Sequence, residues 1–194
     1  MEVIMNAEID ITGITLETQR LYIRPWRVTD IDDFYEYASV DGVGQMAGWE
    51  PHNNKEKSAF ILDIFMKEKK TFAIELKDNR KVIGSIGIEK YDTKKFFGEF
   101  DEKQGRELGY VLSKSYWGMG LMPEAVKCII SYCFDELSLD FLTVGHFKGN
   151  EQSKRVIEKC GFQFYCEGEF KTRIGTIEKD CSYVLLNNSN ITDE

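Results

Sequence analysis

Apolar residues recur along this chain in two rhythms. From Arg20, "RLYIRPW" alternates, with Leu21 and Ile23 on one face, and predicts a strand. "TDIDDFYEYASV" has helical spacing; Thr29 or Asp30 is placed to cap it, and Asp32 and Asp33 fall in its positive first turn. "DGVGQMAGWEPHNN" reads as a glycine-rich loop, and "KEKSAFILDIFMKEKK" as a second amphipathic helix. "TFAIEL" and "KVIGSIGIEKY" follow as strands joined by the turn "KDNR", and "RELGYVLS" is another strand. A long helix is expected from Pro123 to Leu137, with Val126, Ile130, Cys133 and Leu137 on its apolar stripe and Pro123 in its first turn. "DFLTVGHF" is a strand, Glu151 to Cys160 a helix, and Gly161 stands where a helix C-terminal glycine belongs. "FQFYCEGEF" and "TIEKDCSYVLL" make a closing hairpin.

The helix after Gly118 joins two apolar strands, which predicts a partly parallel sheet covered by helices. The 194 residues suffice for one domain with a substantial core, spanning 1–194, with frayed ends at 1–14 and 187–194. No repeat or low-complexity linker interrupts the chain.

Charge and composition narrow the function. A formal net charge of −8 argues against general nucleic-acid binding and suits a cationic partner such as an amine. No apolar run reaches the ~20 residues of a membrane helix. The acidic N-terminus does not resemble a signal peptide, so a cytoplasmic location is expected. Five cysteines without C-x-x-C spacing read as core thiols, and His52 and His146 have no Cys or His partner nearby, so no metal site is expected.

One stretch breaks the pattern. "SYWGMGLMPEAVKCII" sets Gly118 and Gly120 between a strand and a helix. Either this is an ordinary tight turn, or bare backbone N–H groups from Gly118 through Met119, Gly120 and Leu121 to Met122 form an anion site. A nucleotide triphosphatase loop is ruled out because no Lys-Ser/Thr follows. The third glycine of a dinucleotide fingerprint is replaced by Pro123.

Taken together, "ELGYVLSKSYWGMGLMPEAVKCIISYCFDELSLDFLTVGHFKGNEQSKRVIEKCGF" resembles the core of the GNAT superfamily of acyl-CoA-dependent N-acetyltransferases. The family's pyrophosphate loop has the form Q/R-x-x-G-x-G/A. Trp117, Gly120 and Met122 fall at its defined positions, and only Gly120 matches. The aromatic-Trp-Gly-x-Gly variant followed by "MPEA" is similar to the branch of ribosomal-protein N-terminal alanine acetyltransferases, the RimJ/RimL type. "ETQRLYIRPWRVTDIDDF" resembles that branch's opening strand and helix, and Asn150, Ser153, Lys159, Gly161 and Phe162 match its second core motif.

The resemblance implies an α+β fold: a mixed, mostly antiparallel twisted sheet of six to seven strands with helices on both faces. It also implies acetyl transfer from acetyl-CoA to an amine, in a monomer or a homodimer, with no nucleic acid or membrane partner. Glu107 is the expected base, taking the amine's proton directly or through water. Its alternative is an exposed strand-end residue paired with Arg106 or a lysine. A backbone N–H between Tyr110 and Leu112 is expected to face the developing oxyanion, with Val111 and Leu112 touching the pantetheine arm through backbone. Many family members carry a tyrosine acid seven residues after the motif's asparagine; here that position is Ile157. Ser153 is therefore the expected donor to the leaving thiolate; otherwise it is a small first-turn residue behind an Asn150 cap. Asn150, Val156 and Lys159 join the CoA contacts. On the acceptor side, Trp49, Glu50, Glu89 and Tyr91 are candidate contacts, Phe147 is a further pocket wall, and His52 is read as a loop residue. The competing readings are a non-catalytic acyl-CoA-binding module, an interaction domain sharing the fold, and an aminoglycoside or polyamine acetyltransferase.

Overall fold

The structure is a computed structural model that describes residues 6–96 and 98–188. Its frame is an eight-stranded sheet in the order β1-β2-β3-β4-β5-β6-β8-β7. The strands are β1 (Leu16–Glu17), β2 (Leu21–Pro25), β3 (Thr71–Leu76), β4 (Val82–Glu89), β5 (Gly105–Leu112), β6 (Phe141–Phe147), β7 (Gln163–Lys171) and β8 (Ile177–Leu186). Every neighbouring pair is antiparallel except β5 and β6, which the crossover helix joins in parallel. The strand beyond the expected six to seven is β1, whose two residues are too short to show an alternation.

Helices α1 (Ile31–Ala38) and α2 (Lys55–Glu68) cover one face. Their apolar sides enclose Trp26, Phe34, Tyr37, Leu62, Ala73 and Val82, with Val111 of β5 packed against them. Helices α3 (Leu121–Ser131) and α4 (Glu151–Lys159) cover the other, over Ile23, Phe72, Ile74, Ile86, Leu108 and Val144. Burial of this kind is worth about 25 cal/mol per Å² of apolar area, so these two layers hold the strands in place.

Three expectations are corrected. Neither Thr29 nor Asp30 caps α1 with a side-chain bond. The Asp30 carboxylate instead receives both Arg24 guanidinium nitrogens at 2.8 Å and the Arg27 N–H at 2.8 Å. The crossover helix begins at Leu121 and passes into a wide π turn at Tyr132–Glu136, closed by the Leu137 N–H on the Tyr132 carbonyl. The extra residue per turn rotates the buried face, so Val126, Ile129 and Cys133 are enclosed while Ile130 and Leu137 are half-buried. The described parts of the ends are tied down rather than frayed. Ile11 is buried and its N–H donates to Lys69, and the Asn187 amide donates to the Leu139 carbonyl. The remainder of the expected frayed ends, 1–5 and 189–194, lies outside the described residues.

Candidate active site

The parallel pair opens into a fork. β5 and β6 stay in register from Gly105 with Phe141 to Leu108 with Val144, and no further. Beyond that point β5 remains on β4 as far as Leu112 with Gly84, and β6 remains on β8 as far as Phe147 with Asp180. Successive peptide groups of a strand face opposite sides. The Ser113 N–H donates to Ile83 and the Val111 carbonyl faces Gly84, so both turn to β4. The peptide groups of Tyr110 and Leu112 therefore face the gap. This corrects the expectation for Val111, whose backbone is turned to β4. The Leu112 carbonyl is also taken, by the Trp117 indole N–H at 2.8 Å. What remains for a ligand in the gap is the Tyr110 N–H and carbonyl and the Leu112 N–H.

At the open end lies the glycine loop. Gly118 and Gly120 both have left-handed φ, +79° and +73°, which side chains other than glycine adopt at a cost. Gly118, Met119 and Gly120 are exposed, and Leu121 and Met122 turn inward to the core. Gly120 is the N-terminal cap residue of α3, so the free N–H groups of the first turn point out of the loop. The loop is braced from the N-terminal segment. Arg20 donates to the Met119 carbonyl at 2.9 Å and to Glu124 Oε2 at 2.7 Å. The Glu124 carboxylate also receives the Arg20 N–H at 2.9 Å and the Thr18 hydroxyl at 2.5 Å. These partners are distant in sequence, and neither the alternation of "RLYIRPW" nor the "MPEA" motif signalled that they meet. A loop with bare amides, an arginine bracing it and an open gap beside it fits a diphosphate with an extended arm.

Glu107 and Ser153 approach the fork from opposite faces. Even-numbered residues of β5 point to α3 and α4; odd-numbered ones point to the side of α1 and α2. Tyr110 thus reaches α4, where its hydroxyl lies 3.0 Å from Ser153 Oγ and donates to the Ser153 carbonyl at 3.3 Å. Burial pushes the Tyr110 phenol up, so it keeps its proton, and its bond to Ser153 opposes that only in part. Asn150 caps α4, its side chain accepting from the Ser153 N–H at 3.1 Å. Val156 is half-buried against the core, whereas Lys159 is exposed at the far end of the helix.

On the other face Glu107 is partly buried, and burial lifts its carboxyl to about 7. Lys95 pulls it back, while Asp180, Glu89 and Asp92 raise it further. The alternative pairing with Arg106 is not found among the described residues, because the Arg106 side chain lies on the opposite face and donates to the Ala7 carbonyl. Gly109 follows Glu107 on its face and is exposed, with the Glu89 side chain beside it.

The acceptor-side candidates divide. Glu89 pairs across β4 and β5 with Glu107 and carries an ion pair to Lys70 at 2.7 Å. Trp49 is half-buried against the α1–α2 layer, and Glu50 is exposed. The loop holding both is anchored across the sheet by the Arg173 N–H on the Gly48 carbonyl at 3.1 Å. Phe147, at the end of β6, stacks near Phe170 with centroids 5.6 Å apart. Tyr91 is corrected from a substrate contact to a core residue. It is buried against Phe96 and Phe141 below the paired part of β5 and β6. His52 is buried between Phe34 and Trp49, bonded to Ser58 at 2.7 Å, and burial with Lys57 nearby lowers it to about 4. It stays neutral near pH 7 but is enclosed.

Residues 20–163 match the family described as the acetyltransferase (GNAT) domain. The uncharacterised N-acetyltransferase YoaA of Bacillus subtilis (strain 168) is 30% identical over 154 residues, covering 76% of this chain and 82% of YoaA. A GNAT-family acetyltransferase structure from Bacillus anthracis superposes with a TM-score of 0.75 at 25% identity, over 90% of this chain and 99% of its own. Ribosomal-protein-S5-alanine acetyltransferase from Vibrio fischeri shares the fold, with a TM-score of 0.67 at 20% identity over 91% and 98% of the two chains.

Proposed function

Because this chain belongs to the GNAT acetyltransferase family, and is therefore an acyltransferase, we propose that it moves an acetyl group from acetyl-CoA to a primary amine by direct attack in a ternary complex. The observation that carries this reading is the fork: a gap in the sheet with the Glu107 carboxyl on one face and the Tyr110–Ser153 hydroxyl pair on the other.

The amides of the Gly118–Met122 loop hold the diphosphate, and Arg20 fixes the loop by gripping the Met119 carbonyl. The free peptide groups of Tyr110 and Leu112 receive the pantetheine arm as an added strand. An N–H of this pair also faces the oxygen that gains charge during attack. A carboxyl titrating near 7 is suited to take a proton from an amine, whose ordinary values lie at about 8 to 10. Glu107 is therefore the base, directly or through a water over Gly109. On the opposite face the Ser153 hydroxyl donates to the departing sulfur, and the Tyr110 hydroxyl, turning its one proton from the Ser153 carbonyl to Oγ, donates to Ser153 in turn. The tyrosine missing at 157 is thus answered by a phenol that arrives from β5.

The acceptor is a primary amine, on a small molecule or a protein N-terminus. Release of free thiol from acetyl-CoA across a panel of amines tests the reading. Amine-dependent release is expected. Binding of CoA without release for any amine would make the chain a binding module, and no CoA binding would remove the site altogether.

A further inference from the structure

Thr143 is the in-register neighbour of Glu107 across the parallel pair. A Cβ on Gly105 would run into the Phe141 ring, so the odd-numbered residues of β5 and β6 point to the same side. Thr143 is only 1% exposed, and its hydroxyl has no hydrogen-bond partner among the described residues. A buried hydroxyl without a partner is costly, and valine would fill its place without that cost. Glu107 and Thr143 are also the last pair on this face before the fork opens. The residues that follow them there, Gly109 and Gly145, are exposed and carry no side chain.

The Glu107 carboxyl is equally without a hydrogen bond or ion pair among the described residues. The cations nearest to it are committed to other carboxylates. Lys95 holds Asp180 Oδ2 at 2.5 Å, and Lys70 holds Glu89 at 2.7 Å. Burial, Asp180, Glu89 and Asp92 all oppose ionisation of Glu107, and Lys95 favours it. Neighbouring strands lie ~4.8 Å apart, within reach of a glutamate that turns about its side-chain bonds. Resting on the reading of Glu107 as the base, we propose that Thr143 is its positioning residue: the Thr143 hydroxyl donates to the ionised Glu107 carboxylate and holds it beside the opening of the fork, where the amine arrives. The amine's proton passes to the carboxylate, and the Thr143 proton stays on its own oxygen. A donor to the charged form lowers the midpoint of a carboxyl, so removing that donor raises it.

NMR titration of isotope-labelled glutamate carboxyls in the free protein tests this, with the Glu107 signal assigned through Glu107→Gln. Thr143→Val should raise the Glu107 midpoint by about one pH unit. Thr143→Ser keeps the hydroxyl and should leave the midpoint where the parent has it. An unchanged midpoint in Thr143→Val, or an equal rise in Thr143→Ser, overturns the proposal. If Thr143→Val does not fold, Thr143→Ala is titrated in its place and read the same way. The rising limb of kcat/KM should move with the carboxyl midpoint in each variant. A midpoint that moves while the limb stays would instead sink the reading of Glu107 as the base and leave its bond to Thr143 standing.

Discussion

As the proposed base, Glu107 would couple catalysis to stability in a way a passive strand-end residue would not. Its carboxyl is raised from its ordinary value of 4.5 to about 7 by burial, so the charged form is disfavoured in the folded protein. For an acid shifted upward, the penalty on folding is absent below about pH 4.5, grows through the interval, and is full above about pH 7. Glu107→Gln should therefore be more stable than the parent at pH 8, by on the order of a few kcal/mol, and equal to it at pH 4. Thermal unfolding at the two pH values checks this, and an equal shift at both would deny a buried charge. The same variant should lose the rise of kcat/KM through about pH 7 and regain part of its rate at high pH, where more amine is neutral. A pH–rate profile identical to the parent's would remove Glu107 from the mechanism. Ser153 makes the opposite kind of prediction. Ser153→Ala should lower kcat by something within 10²–10⁴-fold while sparing CoA affinity. Tyr110→Phe should slow the reaction less, and the double variant should be no slower than Ser153→Ala, because the phenol acts through the serine. Additive losses in saturating kinetics would separate the two.

Among the elements, the strand-to-helix loop depends most on its surroundings. Gly120→Val adds a β-branched side chain at a φ of +73° and covers the amides. CoA binding should weaken at least tenfold, about 1.4 kcal/mol, and calorimetry showing normal affinity in a folded variant would dismiss the loop as the phosphate site. Arg20→Ala removes the grip on the Met119 carbonyl and on Glu124 without touching the amides. It should raise the Kd for CoA by a smaller factor, about two- to tenfold. An unchanged Kd would mean that the glycines hold their conformation unaided. Both the glycine positions and their flanking strand and helix were legible from the period change around them. The brace was not, since a bond between residues 20 and 119 has no trace in local spacing.

The molecule as a whole is a sheet with one parallel pairing, opened at one end, with a helical layer on each face. Amide exchange provides a direct measurement. The Glu107–Leu108 segment, paired on both sides, should be protected with or without ligand. The amides of Tyr110 and Leu112 should exchange faster in the free protein and slow when CoA is added. Equal protection of all of these in the free protein would mean that the fork is closed in solution.

Alternation and helical spacing were sufficient to set out seven of the eight strands and the four α-helices of the described residues in order, because each buries one face and that periodicity is local. The family motifs placed the glycine loop, Asn150 and Ser153 for the same reason: they cluster within a few residues of one another. Three things were decided only by tertiary structure. The gap between β5 and β6 exists because pairing stops at Leu108, and no residue type announces where a ladder ends. Tyr110 meets Ser153 because β5 faces α4 across that gap, 43 positions apart in sequence. Tyr91 has the composition of a pocket wall, yet packing assigns it to the core, since burial depends on which layers close over a strand end rather than on the residue itself.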